Sequence, residues 1–245
     1  MTETQFLSLT LPDLDANLAL DEALLDAVAG ETFPNLLRLW EPPTHFVVIG
    51  RGSKLNQEVD VDACRQLSIP VMRRCSGGAA IVAGPGCLMY SVVFNASRQT
   101  RWRDVQWAHD EVMSRHLSAL QTLGIDARWE GTCDLTVRGR KISGNSLRCV
   151  RNAVLYHGTF LYDFDLSLIE RCLWMPPRVP AYRKLRSHGD FVGQLPVTRI
   201  ELEQALRETW QALDETATWP REQTERLVQS KYRQHVWNAH GQSRL

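Results

Sequence analysis

The sequence predicts an α+β fold with mixed, largely antiparallel sheets flanked by helices, and two observations support that prediction. Short apolar runs of strand length interleave with segments of helical periodicity, without the strict strand–helix alternation of a doubly wound sheet. No internal repeat and no low-complexity linker divides the 245 residues. We therefore expect a single domain over residues 1–245, large enough to bury a substantial core.

The helices are predicted from apolar periodicity and end signals. Residues 17–29 and 104–123 each carry an apolar stripe at helical spacing and are each followed by a glycine that can end a helix. Thr198-Arg199-Ile200-Glu201 fits a capping box, which predicts that a helix begins there. Pro220 predicts the beginning of a last helix.

The strands are predicted from short apolar runs. They cover residues 36–40, 46–49, 71–73, 88–94 and 154–162. Residues 135–137 and 140–142 flank Arg138-Gly139 and are typical of a hairpin, because glycine at the turn permits the positive φ that a tight connection requires.

The composition excludes several functional classes. The chain carries 28 Lys and Arg against 28 Asp and Glu, so its formal net charge is zero. A protein held on nucleic acid or on an anionic membrane by its overall charge needs a surplus of basic residues, so neither partner is expected. A hydrophobic content of 44% is too high for a disordered tail.

The location is predicted to be cytoplasmic. The N-terminal stretch has no basic segment before an apolar one, and no window has the apolar length that spans a bilayer. The six cysteines form no C-x-x-C pair and follow no regular spacing, so a zinc ribbon or a disulfide framework is not expected.

Acidic and basic residues are separated along the chain. Residues 1–31 contain seven acids and no Lys or Arg, whereas residues 135–151 contain five basic residues and no acid. A compact cationic patch in a neutral protein predicts a small anionic ligand. A solvated charged face is the alternative that this pattern leaves open.

A glycine-containing segment, Arg73-Arg74-Cys75-Ser76-Gly77-Gly78-Ala79-Ala80, follows the predicted strand 71–73. Consecutive glycines let a backbone approach a ligand closely and point N–H groups at an anion, while the arginines add charge. The spacing is neither that of a Walker A loop nor G-x-G-x-x-G. The segment is thus either an anion-binding loop or a plain surface turn.

Two further segments carry chemistry. Asp134 is followed, across the predicted hairpin, by Lys141-Ile142-Ser143-Gly144-Asn145-Ser146. Joining a carboxylate to ATP brings two anions together, which requires a fixed cation and a carboxylate for Mg²⁺; Lys141 and Asp134 have that chemistry, although a surface lysine in a hairpin has the same spacing. Tyr156-His157-Gly158-Thr159 puts a histidine in an apolar strand, where a hydrogen-bonded core residue is the alternative to a ligand-binding one.

Taken in series, the motifs resemble the lipoate–protein ligase family, which belongs with the biotin/lipoate ligases and the related octanoyltransferases. The resemblance runs from about residue 15 to about residue 195. It rests on the three segments above and on Asn17–Leu24, Trp40-Glu41-Pro42-Pro43 and Val48-Ile49-Gly50-Arg51, in the family's order and approximate spacing. Residues 182–187 and 231–238 also resemble the family.

The resemblance implies a two-step reaction. Lipoate and Mg·ATP form lipoyl-AMP and pyrophosphate, and the lipoyl group then passes to a lysine of an acceptor, such as an E2 or H-protein-like lipoyl domain. Lys141 is implied to contact the lipoyl carboxylate and the phosphate, and Asp134 to hold Mg²⁺. The residues implied to bind lipoate and the nucleotide are Arg74, Ser76, Gly77, Gly78, Ala79, Ser143, Gly144, His157 and Thr159.

The sequence departs from the family's pattern at three places. Ala79 stands where a third glycine is usual, Ala83-Gly84 where a His-Asp pair is frequent, and Cys133 where asparagine is common. Many members carry a C-terminal accessory domain or use a separate subunit in its place. The chain ends soon after residues 231–238, so we expect no accessory domain in it and count an accessory subunit among its partners.

Two other functions remain open at this stage. An octanoyltransferase of the same fold moves octanoyl from acyl carrier protein to the acceptor through a cysteine thioester without ATP, and Cys133 and Cys149 are the candidate thiols, with packing roles as their alternative. A non-catalytic ligase-like subunit that binds lipoyl carriers is the third reading. The acyl pocket must be apolar, and its predicted members are Leu18, Trp40, Val48, Tyr90 and Val92.

Overall fold

The computed structural model describes residues 4–241, which form two β-sheets with helices packed around them. The strands are β1 (Thr4–Ser8), β2 (Asn35–Trp40), β3 (Phe46–Ile49), β4 (Val71–Arg73), β5 (Ile81–Ala83), β6 (Cys87–Asn95), β7 (Ala127–Glu130), β8 (Asp134–Val137), β9 (Arg140–Cys149) and β10 (Ala153–Leu161). The helices are α1 (Leu14–Ala29), α2 (Leu55–Glu58), α3 (Val61–Gln66), α4 (Val105–Thr122), α5 (Ser167–Cys172), α6 (His188–Phe191), α7 (Arg199–Thr209), α8 (Arg221–Leu227) and α9 (His235–His240). A π turn over Val228–Tyr232 continues α8.

The two sheets confirm the predicted fold class. The larger sheet has seven strands in the order β1-β2-β6-β10-β9-β8-β7, and the smaller has three in the order β4-β3-β5. The β1–β2 and β3–β4 pairs are parallel, and the remaining neighbours are antiparallel. This is an α+β fold with mixed, largely antiparallel sheets.

The large sheet is buried on both faces because its strands alternate their side chains between two cores. Tyr156 of β10 belongs to the core that includes buried residues of α4 and α7, whereas Leu155 packs with α1. His157, the next residue, points its ring to the α1 side, where it meets Asp21. Because side chains alternate along β10, His157 faces the side of the sheet on which α1 lies.

The elements with strong periodicity or clear end signals are confirmed, and the shortest elements were missed. The hairpin turns at Arg138 and Gly139, with φ of 51° and 74°. Thr198 forms the predicted capping box with Glu201. Strands β1, β5 and β7 and helices α2, α3, α5, α6 and α9 were not predicted. Within residues 4–241, no helix is both long and apolar enough to cross a membrane.

The predicted cationic patch over residues 135–151 does not form. These residues occupy the extended β8–β9 hairpin, and the ten residues of β9 alone span roughly 30 Å. Lys141 pairs with Asp134 at one end of β9, while Arg148 pairs with Glu22 of α1 near the other. The positive charges are therefore spread along the strand and serve different partners.

Candidate active site

A cavity with two lobes lies between the small sheet, the glycine-containing loop and strands β9 and β10. The inner lobe has a volume of about 110 Å³, and its apolar wall comprises Leu18, Trp40, Val48, Met89 and Tyr90. The outer lobe, of about 430 Å³, extends past Asp134 to residues 173–192. Lys141, Gly144, Asn145 and Thr159 border both lobes. The arrangement joins a narrow recess that has one apolar wall to a wider chamber bordered by Asp134, Arg178 and Arg183.

Lys141 occupies the junction of the two lobes. Its Nζ lies 2.7 Å from Asp134 Oδ1, and the Tyr182 hydroxyl donates to Asp134 Oδ2 at 2.7 Å. Lys141 is on β9 just after the hairpin turn, and Asp134 pairs with Gly144 in the β8–β9 register. The hairpin therefore brings together two residues that are seven positions apart.

Gly144 makes room for the Lys141 side chain. A Cβ at this position would lie 2.8 Å from Lys141 Cε and 2.9 Å from Nζ, closer than such contacts occur in proteins. A glycine in a strand interior weakens the strand but permits a close approach of this kind. Gly144 thus shapes the site by the absence of a side chain.

The loop over residues 74–80 is held in place by its own arginine. Arg74 is buried, and its guanidinium donates to the carbonyls of Gly77 and Ala79 and, on β3, of Val48. The Ser146 hydroxyl of β9 also donates to the Gly77 carbonyl, at 2.9 Å. Burial lowers the pKa of Arg74 to about 10. Arg74 therefore borders the inner lobe, but most of its N–H donors are used in hydrogen bonds that hold the loop.

A buried polar chain connects the loop to α1. His157 Nε2 lies 2.5 Å from Ser76 Oγ, and His157 Nδ1 lies 2.9 Å from Asp21 Oδ2. Asp21 also accepts from Arg38 Nη1 at 2.7 Å. Burial would raise the pKa of Asp21, but the hydrogen bond from His157 and the Arg38 charge hold it below its usual value. Because an ionised carboxylate only accepts, Nδ1 carries the proton that His157 donates to Asp21.

The remaining predicted binding residues differ in their access to the cavity. Gly78 and Ala79 border the inner lobe, and Ser143 borders the outer one. Ser76 is 1% exposed and borders neither lobe, and Gly77 is exposed outside both. Most of the predicted binding residues therefore border the cavity. Ser76 and Gly77 belong to the loop but border neither lobe.

The two candidate thiols are far from equivalent. Cys133 borders the outer lobe, and its Sγ donates to the Asn145 carbonyl at 3.0 Å. Burial, together with the Asp134 charge, raises the pKa of the Cys133 thiol to about 11. Cys149 is exposed at the last residue of β9 and borders neither lobe, so the structure does not bring this thiol to the cavity.

Four of the five predicted acyl-pocket residues border the inner lobe, and Val92 does not. Val92 lies on the same face of β6 as Tyr90, but two residues further along the strand, where it packs in the core against α4 and α7. Sequence reasoning also missed Asp21, Met89, Asn145 and Tyr182. Asn145 and Tyr182 lie inside segments already noted in the sequence. The role of Asp21 depends on its contact with His157, which is 136 residues away.

The donor set fits a magnesium ion that is shared with a substrate. Within residues 4–241 no three His, Cys, Asp or Glu side chains cluster as a metal site would require. Mg²⁺ commonly binds one or two carboxylates together with substrate phosphates and waters, so one carboxylate beside a chamber that admits a nucleotide is enough. Asp134 borders the outer lobe and has this chemistry, and its two oxygens accept from Lys141 and Tyr182.

Known proteins similar to this chain include ligases and transferases. A relative from Aeropyrum pernix named for lipoate-protein ligase A is 35% identical over 155 residues, which is 63% of this chain and 56% of that relative's length. Octanoyltransferase LipM of Geobacillus kaustophilus is 27% identical over 260 residues, covering 91% of this chain and 92% of LipM. The chain thus spans about half of one relative and nearly all of the other.

Solved structures establish the fold. One from an archaeal lipoylation system of Thermoplasma acidophilum, comprising a bi-partite lipoate protein ligase and its E2 lipoyl domain, has a TM-score of 0.84 at 24% identity and covers 100% of this chain and 99% of that one. A lipoate-protein ligase A bound with ATP has a TM-score of 0.80 at 24% identity, covering 98% and 100%. A third, from T. acidophilum with bound lipoic acid, has a TM-score of 0.79 at 24% identity, covering 97% and 98%.

A match between the sequence and a family model identifies the family. The model of the lipoyl protein ligase A/B catalytic domain matches residues 13–207, a range that includes every residue bordering the two lobes. This chain therefore belongs to the lipoyl protein ligase A/B catalytic domain family.

Proposed function

We propose that the chain is a lipoate–protein ligase that activates lipoate with Mg·ATP and transfers the lipoyl group to a lysine of a lipoyl domain. The observation that carries the proposal is the position of Lys141, which borders both the inner lobe and the outer lobe. An acyl chain in the inner lobe presents its carboxylate to this ammonium group. A nucleotide in the outer lobe presents its α-phosphate to the same group.

In the first step, a carboxylate oxygen of lipoate attacks the α-phosphorus of ATP. The bond from that phosphorus to the bridging oxygen of the β-phosphate breaks, and the oxygen leaves with the electron pair on pyrophosphate. Lys141 holds the two reacting anions together and stabilises the negative charge that accumulates between them. Asp134 would hold Mg²⁺, which supplies charge neutralisation on the phosphates.

In the second step, the amine of the acceptor lysine attacks the acyl carbon, and the bond to the AMP oxygen breaks. The amide forms, AMP leaves with the electron pair, and the attacking nitrogen gives up a proton. The inner lobe holds the acyl chain while the nucleotide departs, because buried Leu18, Trp40 and Val48 form an apolar wall for it. The substrate proposed for the inner lobe is therefore lipoate.

Lipoate-dependent exchange of labelled pyrophosphate into ATP tests the first step. The proposal expects exchange that requires lipoate and Mg²⁺ and needs no acceptor domain. The same assay is run with Cys133→Ser, which should exchange at the wild-type rate because no thiol takes part in adenylation. Absence of exchange in the wild type, with octanoyl transfer from acyl carrier protein instead, contradicts the ligase proposal.

Octanoyl transfer is the second candidate, favoured by the coverage of LipM over 92% of its length and by the presence of Cys133 in the outer lobe. A thioester mechanism needs an activated thiolate, and the raised pKa of Cys133 leaves its thiol protonated at neutral pH. If Cys133→Ser abolishes octanoyl transfer while Lys141 is intact, the transferase is the function.

The non-catalytic reading is disfavoured because the Lys141–Asp134 pair borders a formed cavity. We propose a lipoyl domain as the acceptor and one catalytic domain over residues 1–245. The need for an accessory subunit is tested in the same assays. Adenylation and transfer are each measured with the chain alone and with a candidate subunit added. If neither step occurs under any of these conditions, a carrier-binding role replaces catalysis.

A further inference from the structure

One wall of the outer lobe is formed by a segment of the chain that contains several basic residues and no acidic ones. Residues 174–189, here called the cationic segment, contain no Asp or Glu; their basic side chains are Arg178, Arg183, Lys184, Arg186 and His188. Arg178, Arg183 and His188 border the outer lobe. The rest of this lobe carries the Lys141–Asp134 pair, whose two charges compensate each other, and the Glu58 carboxylate, which accepts from the Ala80 backbone N–H. The lobe as a whole therefore has an excess of positive charge.

Arg183 is a buried cation without a counter-ion. Its side chain is 3% exposed, its Nε donates to the Arg186 carbonyl at 3.0 Å, and its guanidinium carbon lies 4.6 Å from the centre of the Phe191 ring. Across residues 4–241 its Nη2 has no hydrogen-bond partner and its guanidinium forms no ion pair. Burying an unpaired charge is costly, so a fixed guanidinium of this kind indicates that an anionic ligand completes its contacts.

The cationic segment is tied to the strands that carry Lys141. Tyr182 donates to Asp134, and Arg186 Nη1 donates to the Gly139 carbonyl in the hairpin turn at 2.7 Å. The first strand residue after the turn, Arg140, donates to the carbonyl of Gly189, the last residue of the segment, and to that of Val192 just beyond it. Arg183 is thereby held beside the outer lobe, with its position set by the same hairpin as Lys141.

We propose that Arg183 and Arg178 bind the β- and γ-phosphates of ATP and hold pyrophosphate as it leaves. This inference rests on the proposed function, in which the α-phosphate is at Lys141. Breaking the bond between the α-phosphorus and the bridging oxygen leaves an extra negative charge on pyrophosphate. Guanidinium groups suit this task, because their fixed donors match phosphate oxygens and keep their charge at any working pH.

The test compares Arg183→Gln, Arg178→Gln and a matched control, Lys184→Gln, in the full chain. Lys184 carries the same charge next to Arg183, is exposed, and does not border the lobe. Three quantities are measured: the KM for pyrophosphate in lipoate-dependent exchange, the binding of inorganic pyrophosphate by calorimetry, and acceptor modification from preformed lipoyl-AMP.

The proposal expects Arg183→Gln to raise the KM for pyrophosphate, and to weaken pyrophosphate binding, by about 10-fold or more, because charge-assisted hydrogen bonds are lost. Arg178 is exposed, so Arg178→Gln should act in the same direction by about 3-fold. Lys184→Gln should change neither quantity. All three variants should use preformed lipoyl-AMP at the wild-type rate, since that step contains no pyrophosphate.

Two outcomes overturn the proposal. One is an unaltered KM and affinity for pyrophosphate in Arg183→Gln; the other is a loss of equal size with preformed lipoyl-AMP, which would make the segment a contact for the acceptor domain. If Arg183→Gln unfolds, Arg178→Gln decides alone, because Arg178 forms no hydrogen bond or ion pair with the described residues. If the wild type shows no exchange, the proposed function fails, and calorimetry with pyrophosphate still decides this inference.

Discussion

The Lys141 side chain depends on the missing side chain of Gly144. Lys141 reaches Asp134 by passing over Gly144, where any Cβ would occupy the space of its terminal carbon and nitrogen. A catalytic group that is moved by about 1 Å can lose roughly 100-fold in rate. The position of the Lys141 ammonium group, and with it the chemistry proposed for the site, therefore depends on glycine at residue 144.

Gly144→Ala should lower the rate of lipoyl-adenylate formation by roughly 100-fold, because the added methyl group displaces Lys141. Folding should be retained, since alanine is favoured over glycine in a strand by about 0.5–1 kcal/mol. Gly52→Ala is the control, as a Cβ there meets nothing within 4 Å. Equal adenylation rates for the two variants would show that Lys141 does not need this space.

The resemblance to the ligase family singled out Lys141 and Asp134, because their hairpin spacing alone left a surface lysine as the alternative. It did not identify Asp21, whose function as a partner of His157 requires contact between α1 and β10. Nor did it identify Arg183, because nothing in the local pattern distinguishes a buried unpaired guanidinium from an exposed one. Residues that act through long-range contacts were beyond sequence reasoning.

At the scale of elements, the buried Glu22 carboxylate of α1 helps to hold the C-terminal part of the described chain. Glu22 accepts from Lys231 Nζ at 2.7 Å, from the Tyr232 hydroxyl at 2.6 Å and from Arg148 Nη1 at 2.7 Å. Burial raises the pKa of Glu22, and these cations and the hydroxyl together more than offset it. The cluster joins α1, β9 and the π turn.

Glu22→Gln should lower the free energy of unfolding by about 1.5–3 kcal/mol, because it removes the counter-ion of the partly buried Lys231 and Arg148. Chemical denaturation monitored by tryptophan fluorescence measures the loss. Glu31→Gln is the matched control: its ion pair with Arg98 is exposed, and its removal should cost no more than about 1 kcal/mol. A similar small loss in both variants would contradict the role of Glu22.

Prediction succeeded for elements with a repeated local pattern and failed for those that depend on their neighbours. The periodicity of α1 and α4 and the end signal of α7 are present in the sequence. Strand β5 has three residues and β1 has five, and they become strands by pairing with β3 and β2. Their short runs contain too few residues to reveal a period.

At the scale of the whole molecule, buried carboxylates make stability depend on acid pH. The pKa values of Asp21 and Glu22 lie below their ordinary values of 3.8 and 4.5 in the folded protein. The unfolded chain therefore binds protons first as the pH falls. The stability that these groups contribute is complete above about pH 4.5 to 5 and is lost as the pH falls through the lower folded values.

Unfolding measured from pH 7 to pH 3 should accordingly show a constant contribution near neutrality and a decline below about pH 4.5. In Glu22→Gln the decline should be shallower, because one of the groups with a lowered pKa no longer titrates. A wild-type curve that stays level down to pH 3, or a variant with an unchanged slope, would contradict the assignment of these charges.

The central claim is that Lys141 serves ATP-dependent lipoylation. Its most direct test is the intact mass of an apo lipoyl domain after incubation with the chain, lipoate and Mg·ATP. The account predicts a mass increase of one lipoyl group that requires ATP and falls roughly 100- to 1,000-fold in rate with Lys141→Ala, while the exposed control Lys54→Ala remains active. Modification by Lys141→Ala at the wild-type rate, or modification of the domain without ATP, would contradict it.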